Sequence, residues 1–266
     1  MVRRAQAPSV SVVVPAKNEA RNIAWVLQRI PSYVDEVIVV DGLSSDGTLE
    51  IAKMIAPDVI VIHEMRRGKG AAVLAGFEAA RGDYIVVLDA DGSMDPTEID
   101  GFVGGLDAGF DLVKGSRFMR GGGSTDISRL RLAGNSALAA LSNALYGTRF
   151  TELCYGFMAL RRTMLPRLGL DATGFEIEAQ IVSRAVRAGA RITEVPSWES
   201  PRRNGVSNLN PLRDGWRVLL TILRERFGAA PGMSVAERST PLQPIAIAGP
   251  ARDLEARVPE RMRGSG

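Results

Sequence analysis

The sequence predicts an α/β fold, a mostly parallel central sheet flanked by helices on both faces. Three observations carry that expectation. Short apolar strand runs alternate with helical runs from Val10 to Leu88, the pattern of successive β-α-β units. The strand runs are apolar at consecutive positions, as in Tyr84-Ile85-Val86-Val87-Leu88, which suits strands buried on both faces. Polar turns follow those strands: Pro15 to Glu19, Asp41 to Thr48, and Asp89-Ala90-Asp91-Gly92. Open α/β sheets gather their ligands at that end.

Residues 1–8 form a basic lead expected to fray. Val10 to Val14 is the first strand, stopped by Pro15, which has no N–H for a central ladder. Asn22 to Ile30 shows helical spacing, with Ile23, Val26, Leu27 and Ile30 on one side. Glu36 to Val40 is the second strand, and Asp46 or Thr48 caps a helix reaching Ile55. Val59 to Ile62 is the third, followed by His63, expected to be partly buried. Arg66-Arg67-Gly68-Lys69-Gly70 opens an alanine-rich helix to Ala80. Lys69 between two glycines at a helix start suits an anion beside free backbone N–H groups; a flexible turn is the plainer reading. Tyr84 to Leu88 is the fourth strand, and Asp95-Pro96 starts the next helix. Leu112 to Ser116 is a further strand, ending at Arg117.

Past the bend at Gly121 to Ser124, Ser128 to Tyr146 reads as a helix and Phe157 to Leu160 as a strand returning to the sheet. Gly174 to Glu178 opens a helix to about Ala188, and Ile192 to Val195 is the last strand. A polar loop from Trp198 to Asn210 leads into Pro211 to Phe227, whose Leu212, Trp216, Leu219, Leu220, Leu223 and Phe227 share one face among arginines. Such a stripe ordinarily packs on its own domain; the alternative is to lie on an anionic membrane surface. From Gly228 onward no periodicity remains, and the tail, residues 228–266, is expected to be disordered.

Of the 266 residues, 24% are charged and 45% hydrophobic, the balance of an ordinary globular protein. A formal charge of +3 gives no reason to expect a nucleic-acid partner. The single cysteine, Cys154, excludes an internal disulfide, and the single histidine excludes a His-rich metal site. No run approaches the roughly 18–20 apolar residues of a membrane span, and no signal-peptide core opens the chain. The expectation is a cytoplasmic protein, peripheral at most on the inner face of the membrane, with a homo-oligomer left open.

The turn after the fourth strand is the candidate for chemistry, although Asp89 and Asp91 taken alone read more plainly as a polar turn closing the strand. Asp89 and Asp91 project to similar sides at a strand end and can share one hard divalent cation, whose other positions go to water and phosphates. Four stretches taken together resemble the inverting glycosyltransferases of family 2, nearest to those acting on dolichyl and polyprenyl phosphates. They are Val12 to Glu19 (Val-Val-Val-Pro-Ala-Lys-Asn-Glu), Val39 to Thr48, Arg67 to Ala72, and Leu88 to Gly92. Gly115-Ser116-Arg117-Phe118 and Arg202 to Leu209 resemble the family's later motifs, and the order along the chain is the family's.

The resemblance implies a GT-A nucleotide-sugar transferase fold over residues 9–227, with a sugar-nucleotide half at 9–127 and an acceptor half at 128–227. It implies that Pro15, Lys17, Glu19 and Asp41 hold the base and ribose. Asp89, Ala90 and Asp91 would hold Mg2+ or Mn2+ and the diphosphate, with Asp91 the more direct ligand. Arg117 and Arg202 would face phosphates, and Arg131 an acceptor phosphate. Two departures stand out: Asn208 replaces a usual lysine, and Ser93 a glutamine that often ligates the metal.

Displacing a nucleoside diphosphate from an anomeric carbon leaves negative charge that a cation, with Arg202 or Lys69, stabilises. A polyprenyl phosphate acceptor is already anionic and needs no strong base. A hydroxyl acceptor needs one, and Glu176 or Glu178 is the candidate, Glu176 the preferred. A nucleotidyltransferase would carry a glycine-rich loop after the first strand, where this chain has Pro15 to Glu19. A non-catalytic sugar-nucleotide binder would have no need of both Asp89 and Asp91.

Overall fold

The computed structural model describes residues 7–207 and 209–228. Asn208 and the expected disordered tail from residue 229 onward lie outside the described residues, as do residues 1–6. In chain order the elements are β1 (Val10–Ala16), α1 (Ile23–Leu27), β2 (Glu36–Asp41), α2 (Thr48–Ile55), β3 (Ile60–His63), α3 (Lys69–Ala79) and β4 (Tyr84–Val87). There follow α4 (Ile99–Asp107), β5 (Leu112–Ser116), β6 (Gly123–Ser124), α5 (Arg129–Tyr146), β7 (Met158–Arg161) and α6 (Leu165–Leu168). The last elements are α7 (Ile177–Arg187), β8 (Ile192–Pro196), β9 (Trp198–Glu199) and α8 (Pro211–Phe227).

Seven strands form one sheet in the order β3-β2-β1-β4-β7-β5-β8. Only β7 runs against the others, pairing antiparallel with both β4 and β5. Alternate residues of each strand feed two separate cores, which is why the strand runs are continuously apolar. Val12, Val14, Val86 and Leu88 join α1 and α4 on one face; Val13, Ile85 and Val87 join α3 and α7 on the other. A short second sheet pairs β6 with β9.

Three local details differ from the sequence reading. β1 includes Pro15 and Ala16. The Val13 carbonyl accepts from Leu88 on the β4 side and that of Ala16 from Gly42 on the β2 side. By strand alternation Pro15 turns its nitrogen toward β4, past the last residue of β4, so the missing donor costs no ladder bond. Helix α1 stops at Leu27 rather than Ile30, because Pro31 disfavours helical backbone in the residue before it. His63 is exposed, not partly buried, at the end of β3, with Nδ1 3.7 Å from Asp41.

The largest departure is the facing of α8. Its inward positions include Asp214, Thr221 and Glu225, all buried, beside Val218 and Ile222. Glu225 accepts from Gln180 Nε2 (3.0 Å), Arg184 Nε and Nη2 (both 2.9 Å) and Arg224 Nη2 (3.1 Å). That buried charge pins the rotation of the helix on α7. Its apolar stripe is thereby turned outward, with Leu212 75%, Trp216 61% and Phe227 70% exposed. Packing of this stripe on the domain, the ordinary expectation, occurs only in part: Leu219 and Leu223 are half-buried, and the rest of the stripe is exposed.

Helix α3 enters under tight constraint. Gly68 has φ +115°, and a Cβ on Gly70 would collide with the Ala172 carbonyl oxygen, while the Ala71 N–H donates to the Thr173 carbonyl at 3.0 Å. Gly70→Ala is therefore expected to lower unfolding free energy by about 1–3 kcal/mol, since backbone rather than a flexible side chain must yield. Chemical denaturation checks this; an unchanged midpoint would mean the close approach is not needed.

Candidate active site

The parallel strands deliver their carboxyl ends to one rim, and the register places the acids there. Ala16 lies opposite Asp41, and Val13 opposite Val87, two residues before Asp89. Gly92 at φ +74° turns the chain back, and the Ser93 N–H donates to Asp91 Oδ1 at 3.0 Å. A cleft of about 690 Å³ opens over this rim, within the roughly 300–1,000 Å³ typical of small-molecule sites. Pro15, Lys17, Glu19, Lys69, Asp89, Ala90, Asp91, Arg117, Arg131 and Arg202 all line it. Asp41 and Glu176 are not among the lining residues.

Two ion-pair clusters flank the acid pair. Lys69 Nζ lies 2.7 Å from Asp89 Oδ1 and 2.8 Å from Glu178 Oε1. Burial opposes the charge of Lys69, yet Asp89 and Glu178 outweigh it and hold the ammonium above its ordinary pKa. At Asp89 burial pushes the carboxyl up, Lys69 pulls it back, and Asp91 and Glu178 add to the push. On the other side Arg202 reaches Glu19 Oε1 with Nη1 at 3.0 Å and Asp91 Oδ2 at 3.4 Å. Burial raises the Glu19 carboxyl against the pull of Asn22 and Arg202. Four carboxylates thus face two cations.

That surplus and the hard oxygen donors fit Mg2+ or Mn2+ at Asp89 and Asp91. No group of three or more His, Cys, Asp or Glu side chains poised for a metal occurs among the described residues. The protein would contribute two carboxylates and leave the other positions to water and phosphate oxygens. Ser93, at the position of the family's glutamine, is buried at 6% exposure.

Several expected residues stand elsewhere or are otherwise engaged. Asp41 is buried, both carboxylate oxygens accepting from the Ser44 N–H at 3.2 Å. Arg117, expected to face phosphate, is committed to two buried acids. Its Nε donates to Glu152 Oε1 at 2.9 Å and its Nη1 to Glu199 Oε2 at 2.8 Å. Burial works against its charge, but Glu152 and Glu199 keep it above the ordinary range. Arg131 lies in the first turn of α5, 3.7 Å from Asp126. Glu176, the preferred base, immediately precedes α7 and accepts from the Gly174 N–H at 3.0 Å, while its Oε2 is buried without a partner among the described residues. Glu178 takes its place in the cleft. Lys69 is held between carboxylates, and the glycines beside it serve close packing against residues 172–174.

Other site residues escaped the sequence reading. Glu152, fully buried, also accepts from Asn135 Nδ2 of α5 at 2.7 Å. A carboxylate inside the run Thr151-Glu152-Leu153-Cys154-Tyr155 was the available signal, since a charge there must be paired. Gly156 leaves room that a Cβ would take from Lys69 Nζ. Burial pushes the Cys154 thiol up to about 12, so no thiolate nucleophile stands at the cleft at neutral pH.

Residues 11–169 match the profile described as glycosyl transferase family 2. Glycosyltransferase AglJ of Haloferax volcanii is 34% identical over 224 residues, covering 81% of this chain and 71% of that protein. Polyprenol monophosphomannose synthase of Mycolicibacterium smegmatis is 34% identical over 212 residues, covering 75% and 80%. Among solved structures, glucosyl-3-phosphoglycerate synthase from Mycobacterium tuberculosis, in complex with Mn2+, uridine diphosphate and glucosyl-3-phosphoglycerate, gives a TM-score of 0.66. It shares 29% identity, over 83% of this chain and 80% of that one.

The Arg117 pairing predicts a stability effect. Arg117→Met leaves Glu152 buried and unpaired and should cost about 3–5 kcal/mol of unfolding free energy. A loss below about 1 kcal/mol in a denaturation series would show that Arg117 does not neutralise that acid.

Proposed function

The chain belongs to glycosyltransferase family 2, and from that premise we propose that it moves a hexose from a nucleoside-diphosphate sugar to a polyprenyl phosphate at a membrane surface. The observation that carries the acceptor reading is α8. Its acids Asp214 and Glu225 turn inward, and Leu212, Trp216, Leu220 and Phe227 turn outward beside exposed Arg213, Arg217 and Arg224. Apolar side chains flanked by cations match the interface of a bilayer bearing anionic lipid. Leu212 and Arg213 of α8, with Leu130 and Arg131 of α5, line the outer cleft, a combination that suits a lipid tail and its phosphate. No helix among the described residues is long and apolar enough to cross a membrane.

The donor would lie along the rim from Pro15 and Lys17 to the acid pair. A divalent cation held by Asp89 and Asp91 would neutralise charge on the departing diphosphate. Arg202, next to Asp91, would add a guanidinium donor to the same phosphates. Attack by the acceptor opposite the diphosphate inverts the anomeric centre. A phosphate acceptor arrives deprotonated, which agrees with a cleft whose one base candidate, Glu178, is already bonded to Lys69.

A second reading keeps the donor chemistry and gives it a soluble hydroxyl acceptor with Glu178 as base. The structural likeness to a synthase crystallised with glucosyl-3-phosphoglycerate favours it. A panel of polyprenyl phosphate, phosphoglycerate and glycan acceptors, run with GDP-mannose and UDP-glucose, separates the two.

In that assay Asp91→Ala should lower transfer by more than about 100-fold and chelator should abolish it, with the fold retained; full turnover by Asp91→Ala would refute the metal assignment. Glu176→Gln should stay within about twofold, because its carboxylate faces away from the cleft. The triple change Leu212→Ser, Trp216→Ser, Leu220→Ser should weaken flotation with anionic vesicles by more than about tenfold. Failure of the parent chain to float would remove the membrane reading.

A further inference from the structure

We propose that the ammonium of Lys69 competes with the divalent cation for Asp89, so that the metal binds strongly only together with a nucleoside diphosphate. The inference rests on the metal and donor reading above and adds a control to the same site. Lys69 Nζ bonds both oxygens of Asp89, Oδ1 at 2.7 Å and Oδ2 at 2.9 Å. A hard cation shared between Asp89 and Asp91 needs at least one of those oxygens. Ammonium and metal also repel each other, and each weakens the hold of the other on the acid. The Lys69 side chain is 12% exposed and that of Asp89 26%, which leaves little water to screen the repulsion. Arg202 is the weaker rival, with Nη1 3.4 Å from Asp91 Oδ2.

The backbone under Lys69 is fixed, while its tip has somewhere to go. Helix α3 begins at this residue, and the Ala71 N–H donates to the Thr173 carbonyl at 3.0 Å. A Cβ on Gly68 or Gly70 would meet the carbonyls of Thr173 and Ala172. Movement is therefore left to the flexible stem of the side chain and the rotatable donors at its end. That end has a second acid, Glu178 Oε1 at 2.8 Å, from the first turn of α7. It also lies 6.0 Å from the Phe175 ring centroid. Gly156 completes the cradle, since a Cβ there would press on both Nζ and Glu178 Oε1. Lys69 can thus turn from Asp89 and keep a counter-ion. A diphosphate carries charge that metal and ammonium can share, which relieves the competition and couples the two ligands.

The test titrates Mn2+ into the full-length chain and reads free and bound metal by electron paramagnetic resonance. Without nucleotide, Lys69→Met should bind Mn2+ about tenfold more tightly than the parent, and Lys69→Arg, which keeps the charge, should stay within about threefold of the parent. The gain in Mn2+ affinity on adding UDP or GDP should be about tenfold larger in the parent than in Lys69→Met. Glu178→Gln leaves Lys69 with Asp89 alone, and it should weaken Mn2+ binding more in the parent than in a Lys69→Met background. Should Lys69→Met not fold, Lys69→Gln is read in the same way. Equal or weaker Mn2+ binding by the uncharged variant would overturn the proposal and leave the metal reading standing. Equal tightening by Lys69→Arg would trace the effect to packing and overturn it as well. If neither parent nor variants bind Mn2+ with either nucleotide, the metal reading falls and this proposal falls with it.

Discussion

The rim of the sheet gathers more carboxylate than the chain neutralises. Glu19, Asp89, Asp91 and Glu178 meet around one cleft with Lys69 and Arg202 between them. Partly buried acids without partners are costly, so each is drawn to a cation, and the two cations are shared. Asp89 and Asp91 share Lys69 and Arg202 with Glu178 and Glu19, which leaves the acid pair short of positive charge. A divalent cation and a diphosphate arriving together would supply one sign to the acids and the other to Lys69 and Arg202. Under the proposed function, a site with this imbalance would favour the pair over either alone.

The sheet topology explains why residues so distant in sequence meet there. Parallel strands all end at one edge, which brings Ala16, Asp41 and Asp89 to a common level. β7 runs the other way, so the chain entering it, not the chain leaving it, lies at that edge. Cys154, Tyr155 and Gly156 line the cleft by this reversal, and Glu152, just before them, is fully buried. Glu152 then ties Arg117 of the β5 end to Asn135 of α5, and Arg117 reaches on to Glu199 of β9. A single buried acid thereby joins the wall of the cleft to the sheet.

The strands and the acid turn were legible because their signals are local. Continuous apolar runs and a D-x-D turn need no tertiary knowledge. Glu176 and Glu178 show where local reading ends: two residues apart near a helix start, they point to different surroundings, and only the docking of α7 chooses between them. Arg117 was legible as a charge at a strand end but not as one already neutralised, since Glu152 and Glu199 come from segments 35 and 82 residues away. Lys69 likewise was legible as a cation at a helix start but not as one shared by Asp89 and Glu178, which come from the turn after β4 and from α7.

Helix α8 argues the same point in reverse. Its sequence is amphipathic, and amphipathic helices ordinarily bury their apolar side. Here Glu225 finds Arg184 and Gln180 on α7, with its own neighbour Arg224 adding a donor, and an acid with that many donors outweighs the burial of a few leucines. Once Glu225 is fixed, the i, i+4, i+8 positions Leu212, Trp216 and Leu220 have no core to enter. Exposing them has a continuing cost in water, on the order of 1.5–3 kcal/mol for each large side chain left unburied. A helix that keeps such a face while burying three polar residues is the observation on which the proposed membrane-surface acceptor rests.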